Sequence, residues 1–337
     1  TTPAGARGQV ILRMAQAARP CFIKEGNEMA QTGAKSLKAA GKRGSSLKYI
    51  IRRDWMAWCL MIPTLALFVF FAWMPLIEGL VLSFFRTKGY EIVKFIGFAN
   101  YREVIADRAF VAAFVNCFKY LGWSLILGFC LPIIVAIMIN EVVHGGSVMR
   151  VSIYFPSMVP GVAVALMWTF LLDPGAGGLV NAFLRSVGLP MSQMLQDPKL
   201  TIPLIVMTMT WKGFGGTAIM YLASLQGVNQ ELYEAAIMDG AGIFKRIFHI
   251  TLPSIYPIIS LMFIMQIIGV FQVMYEPMMM TSGGPNNASM SLLLLGYQYG
   301  FTYMKAGHSM AVSSITFVII LALVVVYFRV QKHLEKA

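Results

Sequence analysis

An all-α polytopic membrane protein is the fold class predicted by three observations on the sequence. First, 58% of the 337 residues are hydrophobic and only 12% are charged, with a mean hydropathy of +0.69. A soluble domain is about one quarter charged, and its core has no room for this much apolar side chain. Second, the apolar residues gather into runs about 20 residues long, the length that carries a helix through a hydrocarbon layer of about 30 Å. Third, Lys and Arg are biased to one side of these runs, mainly through the two tails, as expected of the cytoplasmic side of a membrane protein.

Taken in order, the chain begins with a basic stretch, 1–50, rich in Ala, Gly and Ser. It has no apolar run before a small-residue cleavage site, so it reads as an unstructured tail and not as a signal peptide. Lys24-Glu25-Gly26, shortly before Met29, can be spelled by codons that resemble a ribosome-binding site. That suggests Met29 as the native start and 1–28 as translated leader; an ordinary basic tail is the alternative. Six spans follow, at 56–76, 116–139, 150–172, 202–223, 254–275 and 309–328. Each is long enough to satisfy its own backbone as a helix within lipid. In the third, Pro156 and Pro160-Gly161 predict a bend. Residues 51–329 thus form one six-span domain, and 330–337 a short C-terminal tail.

Orientation follows from the cations. With the N-terminus inside, seventeen of the 27 Lys and Arg fall on the cytoplasmic side, in the two tails and at Arg150, Lys245 and Arg246. Both termini are therefore expected inside, along with the long polar segment 224–253. Within that segment Asn229 is suited to cap a helix running through Leu232, Tyr233, Glu234, Ala235, Ala236 and Ile237, with Glu231 in its first turn. Gly240 and Gly242 bracket a turn after Asp239, glycine being the residue that ends helices with positive φ. A second short helix is expected from Ile243 to Phe248, ended by Leu252-Pro253. Leu232, Ala235 and Ala236 can share one face, where small side chains allow close approach, and Glu234 projects a charge. Thirty residues exceed what a connection needs. A DNA-binding helix-turn-helix is disfavoured, because only Lys245 and Arg246 are available for phosphates.

Glu234-Ala235-Ala236-Ile237-Met238-Asp239-Gly240-Ala241 through Ile250-Thr251-Leu252-Pro253 resembles the EAA loop of permease subunits in binding-protein-dependent ABC importers. Phe95-Ile96-Gly97-Phe98-Ala99-Asn100-Tyr101 with Asp107 and Phe110, Leu222-Ala223-Ser224-Leu225-Gln226, and Thr281-Ser282-Gly283-Gly284-Pro285 resemble the carbohydrate branch, relatives of maltose and glycerol-3-phosphate permeases. One departure is Gly242, where relatives often carry Ser. The resemblance implies the type I importer permease fold and a coupling helix seated in an ATP-binding subunit. Glu234 would then be the charged anchor, Ala235 and Ala236 the close contacts, and Gly240 the bend. It further implies a second permease (a heterodimer, or a homodimer as the alternative), two ATP-binding subunits and an extracytoplasmic sugar-binding protein. It places the chain in the bacterial inner membrane. ATP and Mg would be bound by the partner subunits and no cofactor by this chain, which lacks a phosphate loop: Gly33-Ala34-Lys35-Ser36 is the nearest approach and misplaces the second glycine.

Polar groups within spans tend to face a cavity or the bundle interior. Gln266, Gln272, Tyr275 and Glu276 lie around the fifth span, Trp168 in the third, and Trp211-Lys212 in the fourth. Aromatic faces and amides are the side chains that hold sugars. Gln266 and Gln272, six apart, cannot share one helix face. In maltose-permease relatives polar residues just before the Gly-Gly-Pro region line the sugar site, which favours Gln272. Trp168 reads first as an interfacial anchor and second as a sugar contact. Lys212 reads first as a packed or snorkelling lysine, and Gly213, Gly215 and Gly216 as permitting close packing. Residues 276–307 are long enough to face an external binding protein, and Leu292–Phe301 to dip back into the membrane. Asn287-Ala288-Ser289 fits a glycosylation sequon, a motif short enough to recur by chance.

No enzyme is indicated. His144, His249, His308 and His333 are scattered, and the four cysteines form no CxxC pair, so no catalytic residue and no metal site is expected. A secondary transporter would have no use for a docking loop. The expected cargo is an oligosaccharide, with glycerol-3-phosphate or another polar solute as the alternative.

Overall fold

A computed structural model of the chain describes residues 55–141, 145–175 and 177–334. The N-terminal tail with Met29, residue His144 and the last three residues of the C-terminal tail lie outside the described residues. The chain divides into two units, one ending at Pro75 and the other running from Leu76 to Ala337. Of the first unit, residues 55–75 are described. They belong to helix α1, Trp55–Leu82.

The second unit holds the rest. A small antiparallel hairpin comes first, β1 (Phe85–Lys88) and β2 (Glu91–Phe95), pairing Phe85 with Phe95 and Lys88 with Glu91. It was not expected from an all-α reading; Thr87, Ile92 and Val93 favour a strand, and Gly89 takes the turn with φ +63°. The helices follow: α2 Ala99–Ala106, α3 Arg108–Glu141, α4 Gly146–Met158, α5 Gly161–Leu171, α6 Leu179–Ser186, α7 Thr201–Leu225 and α8 Gln230–Met238. Then come α9 Ile243–Ser254, α10 Tyr256–Phe271, α11 Tyr275–Thr281, α12 Leu292–Tyr297 and α13 Ala306–Leu334.

By length and composition, α1, α3 and α13 can each cross a membrane, and α4 with α5 and α9 with α10 can do so as bent pairs. The remaining span predicted, at 202–223, is α7. Its 25 residues reach about 37 Å. It is less apolar because Thr208, Thr210, Lys212, Thr217 and three glycines interrupt it, and eleven of its residues are buried in the bundle. A helix surrounded by protein needs less apolar surface than one surrounded by lipid. The bend expected in the third span is present, at 91° between α4 and α5. It falls at Val159 and Pro160, both extended, while Pro156 stays inside α4.

Leu252-Pro253 does not end the second helix of the polar segment, as the sequence suggested. The helix continues to Ser254, and the 71° break comes at Ile255. The accommodation is a π-helical turn over Ile247–Thr251, in which the Leu252 amide reaches back to Ile247. A proline removes one amide and crowds the carbonyl four residues earlier, here that of His249. The wider turn relieves this. The same device precedes Pro75, with a π turn over Val69–Trp73, and Pro132, with one over Leu125–Phe129.

Two of the motifs that carry the resemblance are tied into the fold by hydrogen bonds. Asn100 is buried and donates to the carbonyls of Ser83 and Phe85 at 2.7 and 2.8 Å, fastening α2 to the hairpin. Asp107 caps α3, accepting from the Ala109 amide at 2.8 Å, and also accepts from the Tyr299 hydroxyl. The segment around Gly283-Gly284-Pro285 is held from α3: Asn116 donates to the carbonyls of Asn287 and Met290 at 2.8 and 3.1 Å, and Tyr120 to that of Ser289 at 3.0 Å. Asn116→Leu would leave two inward-facing carbonyls without a donor. A loss of about 3 kcal/mol is expected, read as a lower unfolding temperature of the purified protein and faster proteolysis at 283–290.

Candidate functional site

The first candidate site is the pair α8–α9. Asn229 caps α8 as expected: its side-chain oxygen accepts from the Glu231 amide at 3.0 Å. At the other end the Gly240 amide donates to Ile237 and the Ala241 amide to Ala236, both at 2.9 Å, with Gly240 at φ +74°. This is a Schellman cap. Gly242 has φ −65° and starts α9. It therefore does not share the turn-forming role of Gly240. Its place is that of an N-cap, which serine fills well. Tyr233 and Thr251 join the two helices by hydroxyls 3.1 Å apart.

No side chain of Gln230–Met238 or Ile243–Arg246 is buried. Glu234, Ala235 and Asp239 are exposed, whereas Ala236 is half-buried and so only partly shares a face with Leu232 and Ala235. Leu252 is half-buried and Pro253 exposed. Around them lie Met238, 87% exposed, and Phe244, 74% exposed, with Leu232, Ile237 and Phe248. A short, well-capped unit that turns its large apolar side chains outward is built to meet another surface.

The second candidate site lies among the spans. Ser124, Gly128, Thr210, Gly213, Thr217 and Gln266 line a cavity of about 220 Å³ between α3, α7 and α10. Gln266 donates to Ser124 there. Gly213 faces this space and meets nothing where a Cβ would stand; Gly215 instead abuts the backbone of α4, and Gly216 has ordinary contacts. Of the three glycines only Gly215 is demanded by close packing. Gln272 is exposed at the end of α10 and lines neither this cavity nor a second, of about 340 Å³, bordered by Thr169, Asp173, Gln196, Thr281 and Pro285. The geometry thus favours Gln266 over Gln272. The signal for Gln266 was its depth: an amide in the middle of an apolar helix, three residues before Gly269.

Trp168 is half-buried and packs edge-to-face on Trp211, ring centres 5.9 Å apart, which is not the setting of an exposed belt anchor. Tyr275 is also half-buried. Its ring and the Lys212 ammonium both press on Gly161, where a Cβ would come within 3.0 Å of each. Trp168, Lys212 and Tyr275 therefore lie on α5, α7 and α11, which pack on one another. Among the described residues no His, Cys, Asp and Glu cluster has the makings of a metal site.

A bundle of bent spans around a polar interior, with an outward-facing helical hairpin between two of them, defines a membrane permease. The family model described as "Binding-protein-dependent transport system inner membrane component" matches residues 128–337. The chain is 31% identical to the trehalose/maltose transport system permease protein MalF of Thermococcus litoralis, over 86% of this chain and 97% of that one. It is 31% identical to the probable ABC transporter permease protein YurN of Bacillus subtilis, over 78% of this chain and 91% of that one. Its fold is similar to that of a bacterial ABC transporter involved in the import of the acidic polysaccharide alginate, with a TM-score of 0.75 and 28% identity over 85% of this chain and 98% of that one. It is likewise similar to a bacterial alginate ABC transporter in complex with alginate pentasaccharide-bound periplasmic protein, with a TM-score of 0.75 and 28% identity over 85% of this chain and 97% of that one. The chain belongs to the binding-protein-dependent transport family, as a multi-pass permease component.

Proposed function

We propose that this chain is one permease half of an ATP-driven importer that moves an oligosaccharide across a bacterial inner membrane. The observation that carries the reading is the hairpin α8–α9, capped at Asn229 and Gly240 and apolar on its free surface. Both termini and this hairpin lie in the cytoplasm, in keeping with the Lys and Arg distribution. There Glu234, Ala235, Ala236, Asp239 and Gly240, with Leu252 and Pro253 behind them, meet one of two ATP-binding subunits. Those subunits bind ATP and Mg and do the hydrolysis; this chain transmits the motion. A second, similar permease completes the path, and an extracytoplasmic sugar-binding protein delivers the cargo. The saccharide specificity is supported by relatives whose names specify trehalose/maltose and alginate and by the polar cavity at Gln266.

The test is reconstitution into vesicles with its cognate second permease, ATP-binding subunit and binding protein. Uptake of labelled oligosaccharide is expected to need both ATP and the binding protein. Gln266→Ala removes one hydrogen-bonding amide from the path and is expected to raise the KM for uptake about fivefold, while Gln272→Ala changes it little. Uptake without ATP, or equal effects of the two substitutions, would overturn the respective parts of this reading.

A further inference from the structure

Lys212 lies eleven residues from Thr201 and thirteen from Leu225, the ends of α7. At 1.5 Å per residue its Cα is about 16 Å from one end of the helix and about 20 Å from the other, further than a lysine stem extends. It cannot snorkel to either interface. A cation at this depth is costly and needs a reason. No carboxylate supplies one: both ion pairs among the described residues involve Glu103, far along the chain, and neither involves Lys212. Nor does the ammonium make a hydrogen bond to any described residue.

The ammonium itself is not fully buried, but two polar groups on the helices packed here are buried and unanswered. The Trp168 indole nitrogen and the Tyr275 hydroxyl are buried without a hydrogen-bond partner among the described residues. Buried polar groups are rarely left so. Tyr275 and Lys212 both approach Gly161, while Trp168 lies seven residues, about 10 Å, further along α5 and packs on Trp211, next to Lys212. Two buried, unpartnered polar groups and a cation that no carboxylate answers describe a part of the bundle that suits an anion. The flanking indole and phenol rings present flat apolar faces of the kind that stack on the C–H surface of a sugar.

We propose that this cluster recognises a carboxylate on the cargo, so that the transported oligosaccharide contains uronic acid units. This rests on the reading of the chain as an oligosaccharide importer and narrows its substrate. A phosphate monoester carries more charge than a carboxylate and is typically met by a guanidinium or several cations; here one ammonium stands with two neutral donors, which suits a monoanion. The arrangement also assigns Gly161 a purpose, since a Cβ there would come within 3.0 Å of both the ammonium and the phenol ring.

The test uses the reconstituted importer with five labelled probes: oligogalacturonate, oligoalginate, the carboxyl-reduced neutral form of each preparation, and glycerol-3-phosphate. The wild type is expected to take up at least one acidic oligosaccharide ten times or more faster than its neutral form. Lys212→Gln is expected to lower acidic uptake at least tenfold and to shift the ratio toward the neutral form, and Lys212→Arg to restore most of it at equal membrane abundance. Equal uptake of the acidic and neutral forms, or the same ratio in Lys212→Gln and wild type, would overturn the inference and leave oligosaccharide import standing. Uptake of glycerol-3-phosphate with no saccharide uptake would overturn both.

Discussion

Gly215→Ala is expected to cost the bundle about 3 kcal/mol or more, at the upper end of what overpacking does, and to abolish transport. A Cβ at this position would stand 1.9 Å from the Ile153 carbonyl oxygen and 3.1 Å from the Tyr154 Cα. These are backbone atoms of α4, so no side chain can turn aside; the helices must separate. The bond from the Ser157 hydroxyl to the Lys212 carbonyl, 2.8 Å, ties the same two helices one turn away and would be stretched with them. In lipid such contacts matter more than in water, because apolar burial does not drive spans together and close backbone packing must. Gly213→Ala is the control. Its Cβ would meet nothing and would point toward the cavity, so the protein is expected to unfold within a degree or two of wild type in detergent while Gly215→Ala unfolds well below it. Equal unfolding temperatures for the two variants would show that α4 and α7 do not pack as described.

That contrast between neighbouring glycines marks what could be read from the sequence. Composition and run length were sufficient for the membrane class, and single residues with one physical use were sufficient for the local devices: Asn229 as a cap, Gly240 at positive φ, Pro160 at a bend. Those signals are local, and chain chemistry alone decides them. What escaped depends on which helix lies next to which. Gly213, Gly215 and Gly216 look alike until α4 is placed beside one of them. Gln266 and Gln272 differ only in that the helix ends before the second. Trp168 reads as an interfacial anchor until Trp211 is set against it. The helix after Leu252-Pro253 was misjudged for another reason: a proline ends a regular helix, but a π-helical turn lets it stay, and nothing in the composition of Ile247–Thr251 announces that turn.

Gly240→Val is expected to uncouple the permease while leaving its bundle intact. The Schellman cap requires the left-handed region at residue 240, and a β-branched side chain there is opposed by its own backbone. The strain is about 1–2 kcal/mol. Because a Cβ at Gly240 would meet nothing within 4 Å, the cost is conformational and not a clash. A nine-residue helix has little stability of its own, and α8 has no buried side chain to hold it. The cheapest response is to unwind the last turn, which carries Ala235, Ala236 and Asp239. The unfolding temperature of the bundle should therefore barely move. Affinity for the ATP-binding subunit should fall by about tenfold for about 1.4 kcal/mol, and ATP-driven uptake with it. Asparagine tolerates positive φ better than other residues with a Cβ, so Gly240→Asn should recover most of both. This ordering, with Gly best, Asn intermediate and Val worst at constant bundle stability, separates a role of the cap itself from a general need for space. If Val at this position binds the ATP-binding subunit as tightly as glycine does, the cap has no part in docking, and the exposed Leu232, Met238 and Phe244 must make the contact from a hairpin held in some other way.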